Sequence, residues 1–154
     1  MGVLIRDSKP ADLDALIAIY DVAKPLELRA AGVRQFVPFD EDPVAQESLE
    51  EFDIVVAEKD GEVVGFGGLN DGLIGWMFVR PDHHRQGIGR RVLRELLRRC
   101  PGEPWLWWLV GNKPAYGLYA SEGFEVSDGA WLLLYGERVM ALKLVRRISS
   151  RRSP

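Results

Sequence analysis

The densest chemical signal in the chain is the stretch Asp82-His83-His84-Arg85-Gln86-Gly87-Ile88-Gly89. Its two glycines, one residue apart, stand just before an amphipathic segment running from Arg90 to Cys100. Gly87 and Gly89 carry no Cβ, so a ligand can come very close to the backbone there. The first N–H groups of a helix have no intrahelical partner and lie at the positive end of its dipole. A diphosphate is a natural occupant of that place. Arg85 and Arg90 flank the helix start and add positive charge. By itself the stretch reads equally as an anion cradle or as a plain strand-to-helix turn. His83 and His84 are adjacent and have no Asp, Glu or Cys at a ligand spacing, so no metal site is expected.

Several elements must position this loop. Leu73 to Val79 reads as an apolar strand, closed by Arg80-Pro81 because proline has no N–H for a ladder. After the loop, apolar residues at 88, 92, 93, 96 and 97 form one stripe of a helix. Cys100 continues that stripe and is expected to be a buried core thiol. Before the loop, Ile54–Glu58 and Glu62–Phe66 flank Lys59-Asp60-Gly61, a hairpin signal that Asn70-Asp71-Gly72 repeats. Gly65, Gly67 and Gly68 weaken the middle strand and mark either a bulge or a close approach.

At the start of the chain, Val3–Arg6 reads as a strand and Pro10 as a helix start, followed by Leu13, Leu16, Ile17 and Tyr20 at helical spacing. Val22 to Phe39 suggests some helix without definable ends. Asp40-Glu41-Asp42-Pro43 is an acidic turn, and a second helix is expected over Val44 to Phe52. Its Glu47, Glu50 and Glu51 are a solvated face or a rim that guides a cationic substrate. Beyond the breaker run Pro101-Gly102-Glu103-Pro104, Trp105–Val110 is apolar on both faces, as expected of a strand covered on each side. Asn112-Lys113-Pro114 opens a short helix that Glu122-Gly123 closes. Phe124–Val126 resumes strand, Ser127-Asp128-Gly129 turns, and Trp131–Tyr135 with Val139–Val145 forms a final hairpin.

The 154 residues are 47% apolar and 28% charged, which suits one soluble globular domain over 1–146 and a basic, mobile tail over 147–154. A net charge of −3 argues against general nucleic-acid binding. The single cysteine excludes an internal disulfide and points to a reducing, cytoplasmic setting. No stretch approaches the roughly 20 apolar residues that span a bilayer, so no membrane association is expected. Met1 to Asp7 has neither a basic region nor a long apolar run, and no signal peptide is expected.

The segment Val79 to Gly89 and the block Asn112-Lys113-Pro114-Ala115-Tyr116-Gly117-Leu118-Tyr119-Ala120-Ser121-Glu122-Gly123-Phe124 occur in that order. With the order of elements, they resemble the GNAT superfamily of acetyl-CoA-dependent N-acetyltransferases. The resemblance implies an α/β (α+β) fold: a central mixed, mostly antiparallel sheet of about seven strands flanked by about four helices. It implies acetyl-CoA as co-substrate and no metal, with the pyrophosphate over the amides of residues 85–90. The implied cofactor-binding residues are Phe78, Val79, His84, Arg85, Gln86, Gly87, Ile88, Gly89, Arg90 and Asn112. His84 stands where the family usually has Gln or Arg, and Arg85 beside it can supply the charge. The pantetheine arm would follow the strand ending at Val79, which in the family splays from the next, here Trp105–Val110. A backbone N–H near Met77 or Phe78 would polarise the acetyl carbonyl.

Tyr119 matches the family's general acid, and Tyr116 is its substitute. Asn112 would bond the cofactor arm or cap its helix. The implied reaction is direct attack of a primary amine, on a small molecule or peptide, within a ternary complex. A non-catalytic acyl-CoA-binding module on the same fold is the alternative. A nucleotide-binding protein is disfavoured by the absence of G-x-x-x-x-G-K-[ST]. A lysine-like amine near 10.4 needs more help to deprotonate than an α-amine near 7.7–8.0. The strand Leu73–Val79 carries no carboxylate, Asp71 and Glu58 are the nearest in sequence, and a water chain serves as well, so no base is assigned. A homodimer through the last strands follows from the resemblance alone.

Overall fold

Side chains alternate across a strand, and here the alternation divides the core between two helical layers. The computed structural model describes residues 2–148. Its strands are β1 (Val3–Asp7), β2 (Asp53–Lys59), β3 (Glu62–Asn70), β4 (Leu73–Val79), β5 (Trp105–Leu109), β6 (Phe124–Leu134) and β7 (Glu137–Arg146). Its helices are α1 (Leu13–Ala30), α2 (Pro43–Glu50), α3 (Ile88–Arg99) and α4 (Lys113–Ser121). On β2, Val55 and Ala57 join Val92, Leu93 and Leu96 of α3 in the larger cluster. Val56, between them, joins Leu16 and Ile19 of α1 on the other face.

The strands form one sheet in the order β1-β2-β3-β4-β5-β7-β6. Every neighbouring pair is antiparallel except β4 and β5, which are parallel. Seven strands and four helices are the expected architecture. The Asp60-Gly61 and Asp71-Gly72 turns join the meander as expected.

The structure departs from the local sequence pattern at four places. The helix of uncertain extent is the continuation of α1 to Ala30, straight through Pro25. Proline removes one helical N–H, but buried Leu16, Ile19, Tyr20, Ala23 and Leu28 hold the helix against the sheet. Its end is a Schellman turn: Val33 N–H donates to Leu28 O at 2.8 Å and Gly32 N–H to Arg29 O at 3.0 Å, with Gly32 at φ +87°. Ser127-Asp128-Gly129 is not a turn. β6 runs through it, with a bulge between Val126 and Asp128 that absorbs the extra residue. β5 is not covered on both faces, since Trp107 is 44% exposed. Cys100 is half-buried beyond the last turn of α3, its thiol 3.4 Å from Gly102 O.

Of the basic tail, Arg147 and Ile148 lie beside Glu103, which accepts the Ile148 N–H at 3.0 Å. Residues 149–154 lie outside the described residues. Among the described residues, no helix is long and apolar enough to cross a membrane.

Candidate active site

The site begins with a fault in the sheet. β3 pairs Phe66 with Phe78 and Gly68 with Gly75, so Gly67 alone faces both Trp76 and Met77. This β-bulge puts Trp76 at φ +57°, a left-handed conformation costing about 1–3 kcal/mol for such a residue. Aromatic packing holds it there: its ring lies 5.0 Å from Tyr20, and its indole N–H donates to Ser48 Oγ at 3.2 Å. Gly67 is needed opposite, because a Cβ would lie 2.8 Å from a Val92 methyl and 3.0 Å from a Leu96 methyl. The β3 glycines therefore mark both a bulge and a close approach.

On its other edge β4 pairs with β5 at one position only, Leu73 with Trp105. The strands separate beyond it, as the resemblance implied, and leave the main-chain groups of β4 without a strand partner on that side. The slot opens into a cleft of about 530 Å³ between α1, β4, α3 and α4. Phe78, Val79, His84, Arg85, Gly87, Ile88, Gly89, Arg90, Asn112 and Tyr119 all line it. Gln86 does not: its Oε1 accepts from Lys59 Nζ at 2.8 Å, away from the cleft.

Gly87 is the N-cap of α3 at φ +77° and offers no side chain to the first turn. The first helical bond runs from Arg91 N–H to Gly87 O at 3.1 Å, so the amides of residues 88–90 precede the intrahelical ladder. Backbone donors arranged in this way suit an anion such as a diphosphate.

The chain matches the model of the acetyltransferase (GNAT) domain over residues 50–126, half its length. The chain belongs to the GNAT family of acetyltransferases. The peptidyl-lysine N-acetyltransferase YiaC of Escherichia coli is 35% identical over 77 residues, which cover 49% of this chain and 52% of that protein. The match thus spans about half the length of that relative. The phosphinothricin N-acetyltransferase of Alcaligenes faecalis is 29% identical over 138 residues, 78% of this chain and 68% of that protein. A GNAT phosphinothricin acetyltransferase of Sinorhizobium meliloti, solved in complex with AcCoA, has the same fold. Its TM-score is 0.72 at 21% identity, over 100% of this chain and 94% of that one.

Within this GNAT cleft the side chains divide into those aimed at the space and those that brace it. His84 Nε2 lies 3.1 Å from Val79 O and donates to it, so the histidine closes back on the end of β4. Arg90 lines the cleft, but its guanidinium bonds Ser121 Oγ at 2.9 Å and the Glu122 carboxylate. Arg94 reaches the same carboxylate at 3.0 Å, and Arg146 donates to the Glu122 carbonyl at 2.7 Å. The charge of Arg90 is thus matched by Glu122, and the residue expected to face a phosphate is a clamp between α3 and α4.

Arg94 and Arg90 hold the Glu122 carboxyl below the usual carboxylate range. A depressed folded value stabilises the fold fully above the unfolded value of about 4.3, and the gain is lost as pH falls through the folded value. Glu122→Gln is therefore expected to cost about 1–2 kcal/mol at neutral pH, or roughly 3–6 °C in Tm. The gap from wild type should close as pH falls below about 4.3, through the depressed folded value. Thermal melts across that range check it; a gap independent of pH would exclude the charge as the cause.

Tyr119 is 9% exposed, with its ring 5.9 Å from Phe124. Burial pushes its phenol well above the ordinary tyrosine range, and the charge of Glu27 adds to that, so it keeps its proton at neutral pH. Tyr116 packs on Trp108 at 4.8 Å, outside the cleft lining. Asn112 precedes α4 without capping it through its side chain. Neither carboxylate nearest in sequence reaches the site. Glu58 accepts from Arg6 at 2.9 Å, and Asp71 sits in the β3–β4 turn. The carboxylate at the cleft is Glu27, in the last turn of α1. It lies in the Val22 to Phe39 stretch whose helix ends the sequence leaves undefined, and only tertiary packing brings it here. A second hollow of about 360 Å³, lined by Tyr20, Lys24, Asp42, Trp76 and Trp107, shares Phe78 with the cleft.

Proposed function

We propose that this GNAT domain moves the acetyl group of acetyl-CoA to a primary amine, on a small molecule or a peptide, by direct attack in a ternary complex. One observation carries the reading: a single cleft holds the uncapped start of α3, the unpaired edge of β4 and the Tyr119 ring, with a second hollow across Phe78. When bound, acetyl-CoA supplies a thioester whose carbonyl carbon is open to nucleophiles. The amides of residues 88–90 hold the diphosphate, and the β4 edge orients the extended arm through main-chain hydrogen bonds. A backbone N–H near Met77 or Phe78, beside the bulge, stabilises negative charge on the acetyl oxygen. Tyr119 delivers its proton to the departing sulfur. The aromatic hollow receives the acceptor, and both named relatives, acetylating peptidyl-lysine and phosphinothricin, support an amine there.

The same reading includes a cytoplasmic setting and a homodimer through β6, whose outer edge is unpaired and carries exposed Trp131 and Leu133. Free-thiol release over polyamines, aminoglycosides, amino acids and peptide N-termini tests the activity, with calorimetry of coenzyme A binding. Binding heat and thiol release with at least one amine class are expected. Absence of both would overturn the reading.

A further inference from the structure

An aliphatic amine near 10.4 reaches the site as an ammonium ion and cannot attack until it loses a proton. On the acetyl-transfer reading above, we infer that the Glu27 carboxylate takes that proton. Glu27 is the one carboxylate lining the cofactor cleft among the described residues. Lys24, one helical turn earlier, lines the acceptor hollow and lies 5.8 Å from the Phe78 ring centroid. Its ammonium donates to Glu27 Oε1 at 2.7 Å. The ion pair therefore bridges the two spaces beside Phe78, the residue they share, where amine and acyl carbon must meet.

Two further observations agree. Burial pushes the phenols of Tyr119, in the cleft, and Tyr20, in the hollow, above their ordinary range; the charge of Glu27 contributes to both, and at Tyr20 Tyr135 and Asp42 contribute more. The Glu27 side chain is 27% exposed, so it sits in the site yet can pass a proton to water. Asp42, the carboxylate of the hollow, has its Oδ1 committed to the N–H groups of Val44 and Ala45 at 3.1 and 3.2 Å.

In the step, an N–H bond of the ammonium breaks and its proton goes to a Glu27 oxygen, directly or through one water. The freed lone pair forms the C–N bond to the acetyl carbon, and the C–S bond breaks with its electrons on sulfur. Tyr119 protonates the sulfur, the second nitrogen proton restores Tyr119, and Glu27 releases its proton to solvent.

The test is Glu27→Gln, assayed with an acceptor that the wild type acetylates and with fluorinated analogues of falling basicity. For the strongly basic amine, kcat/KM is expected to fall about 10- to 100-fold. For an analogue already neutral at the assay pH the fall should be less than about threefold. Coenzyme A affinity by calorimetry should be unchanged. Glu27→Asp, which keeps a carboxylate, should recover part of the loss. No loss in Glu27→Gln, an equal loss at every basicity, or a basicity-dependent loss in Asp42→Asn instead would overturn the assignment. Wild-type protein that acetylates no amine overturns the acetyl-transfer reading itself, a separate and distinguishable failure.

Discussion

Tyr119→Phe is expected to lower kcat about 10²- to 10³-fold while coenzyme A affinity stays within about twofold. The substitution removes one hydroxyl and keeps the ring. That ring is 9% exposed, stands edge-on to Phe124 at 5.9 Å and belongs to the main core cluster. The melting temperature should therefore hardly move. A purely structural tyrosine predicts the same melting temperature but an unchanged rate, so the rate separates the two roles. Burial favours the neutral phenol, which is the form that donates. The measurement is steady-state thiol release beside calorimetry of coenzyme A. A rate within about threefold of wild type would remove Tyr119 from the chemistry.

The second large effect concerns stability. Gly111→Ala should cost about 3 kcal/mol or more, a fall in Tm of roughly 6–12 °C. Gly111 has φ +128°, and a Cβ there would lie 2.1 Å from the carbonyl oxygen of Ala30. The obstacle is a Cβ, fixed by the backbone, against the Ala30 main chain, so no rotamer change relieves it. The end of α1 must move away from the turn after β5, and Leu26 and Glu27 on the cleft wall move with it. Coenzyme A affinity should fall together with Tm. Gly32→Ala is the control: φ is +87° there, but nothing lies within 4 Å, so only the backbone conformation is strained. Thermal unfolding of both variants is the check. Equal losses would mean that the contact with Ala30 carries no energy of its own.

Some of this site could be read along the chain. The Asp82–Gly89 loop and the apolar stripe at 88, 92, 93 and 96 use local rules, glycine freedom and helical period, and the structure shows both. The Asp-Gly turns of the meander are local in the same way. Other features had no local signature. Trp76 carries ordinary strand chemistry, and its left-handed backbone exists because aromatic neighbours from α1 and β3 hold it. Val22 to Phe39 shows helix without definable ends, and burial of the helix face on the sheet carries α1 through Pro25 to Ala30 despite one lost hydrogen bond. Ser127-Asp128-Gly129 has turn composition, but the ladder with β7 on both sides converted it into a bulge.

The sequence by itself determined the order of elements, the glycine loop at the head of α3 and, through two spaced motifs, the family. Those follow from short-range stereochemistry and residue period, which neighbours along the chain settle. Only the tertiary structure decided which charges face the cleft. Arg90 turned to Glu122, 32 residues away, and Gln86 to Lys59, 27 residues away. Glu27, on a helix far from every motif, came to the slot where β4 and β5 part. Long polar side chains follow whichever partner folding brings within reach, and that partner is a property of the packed molecule.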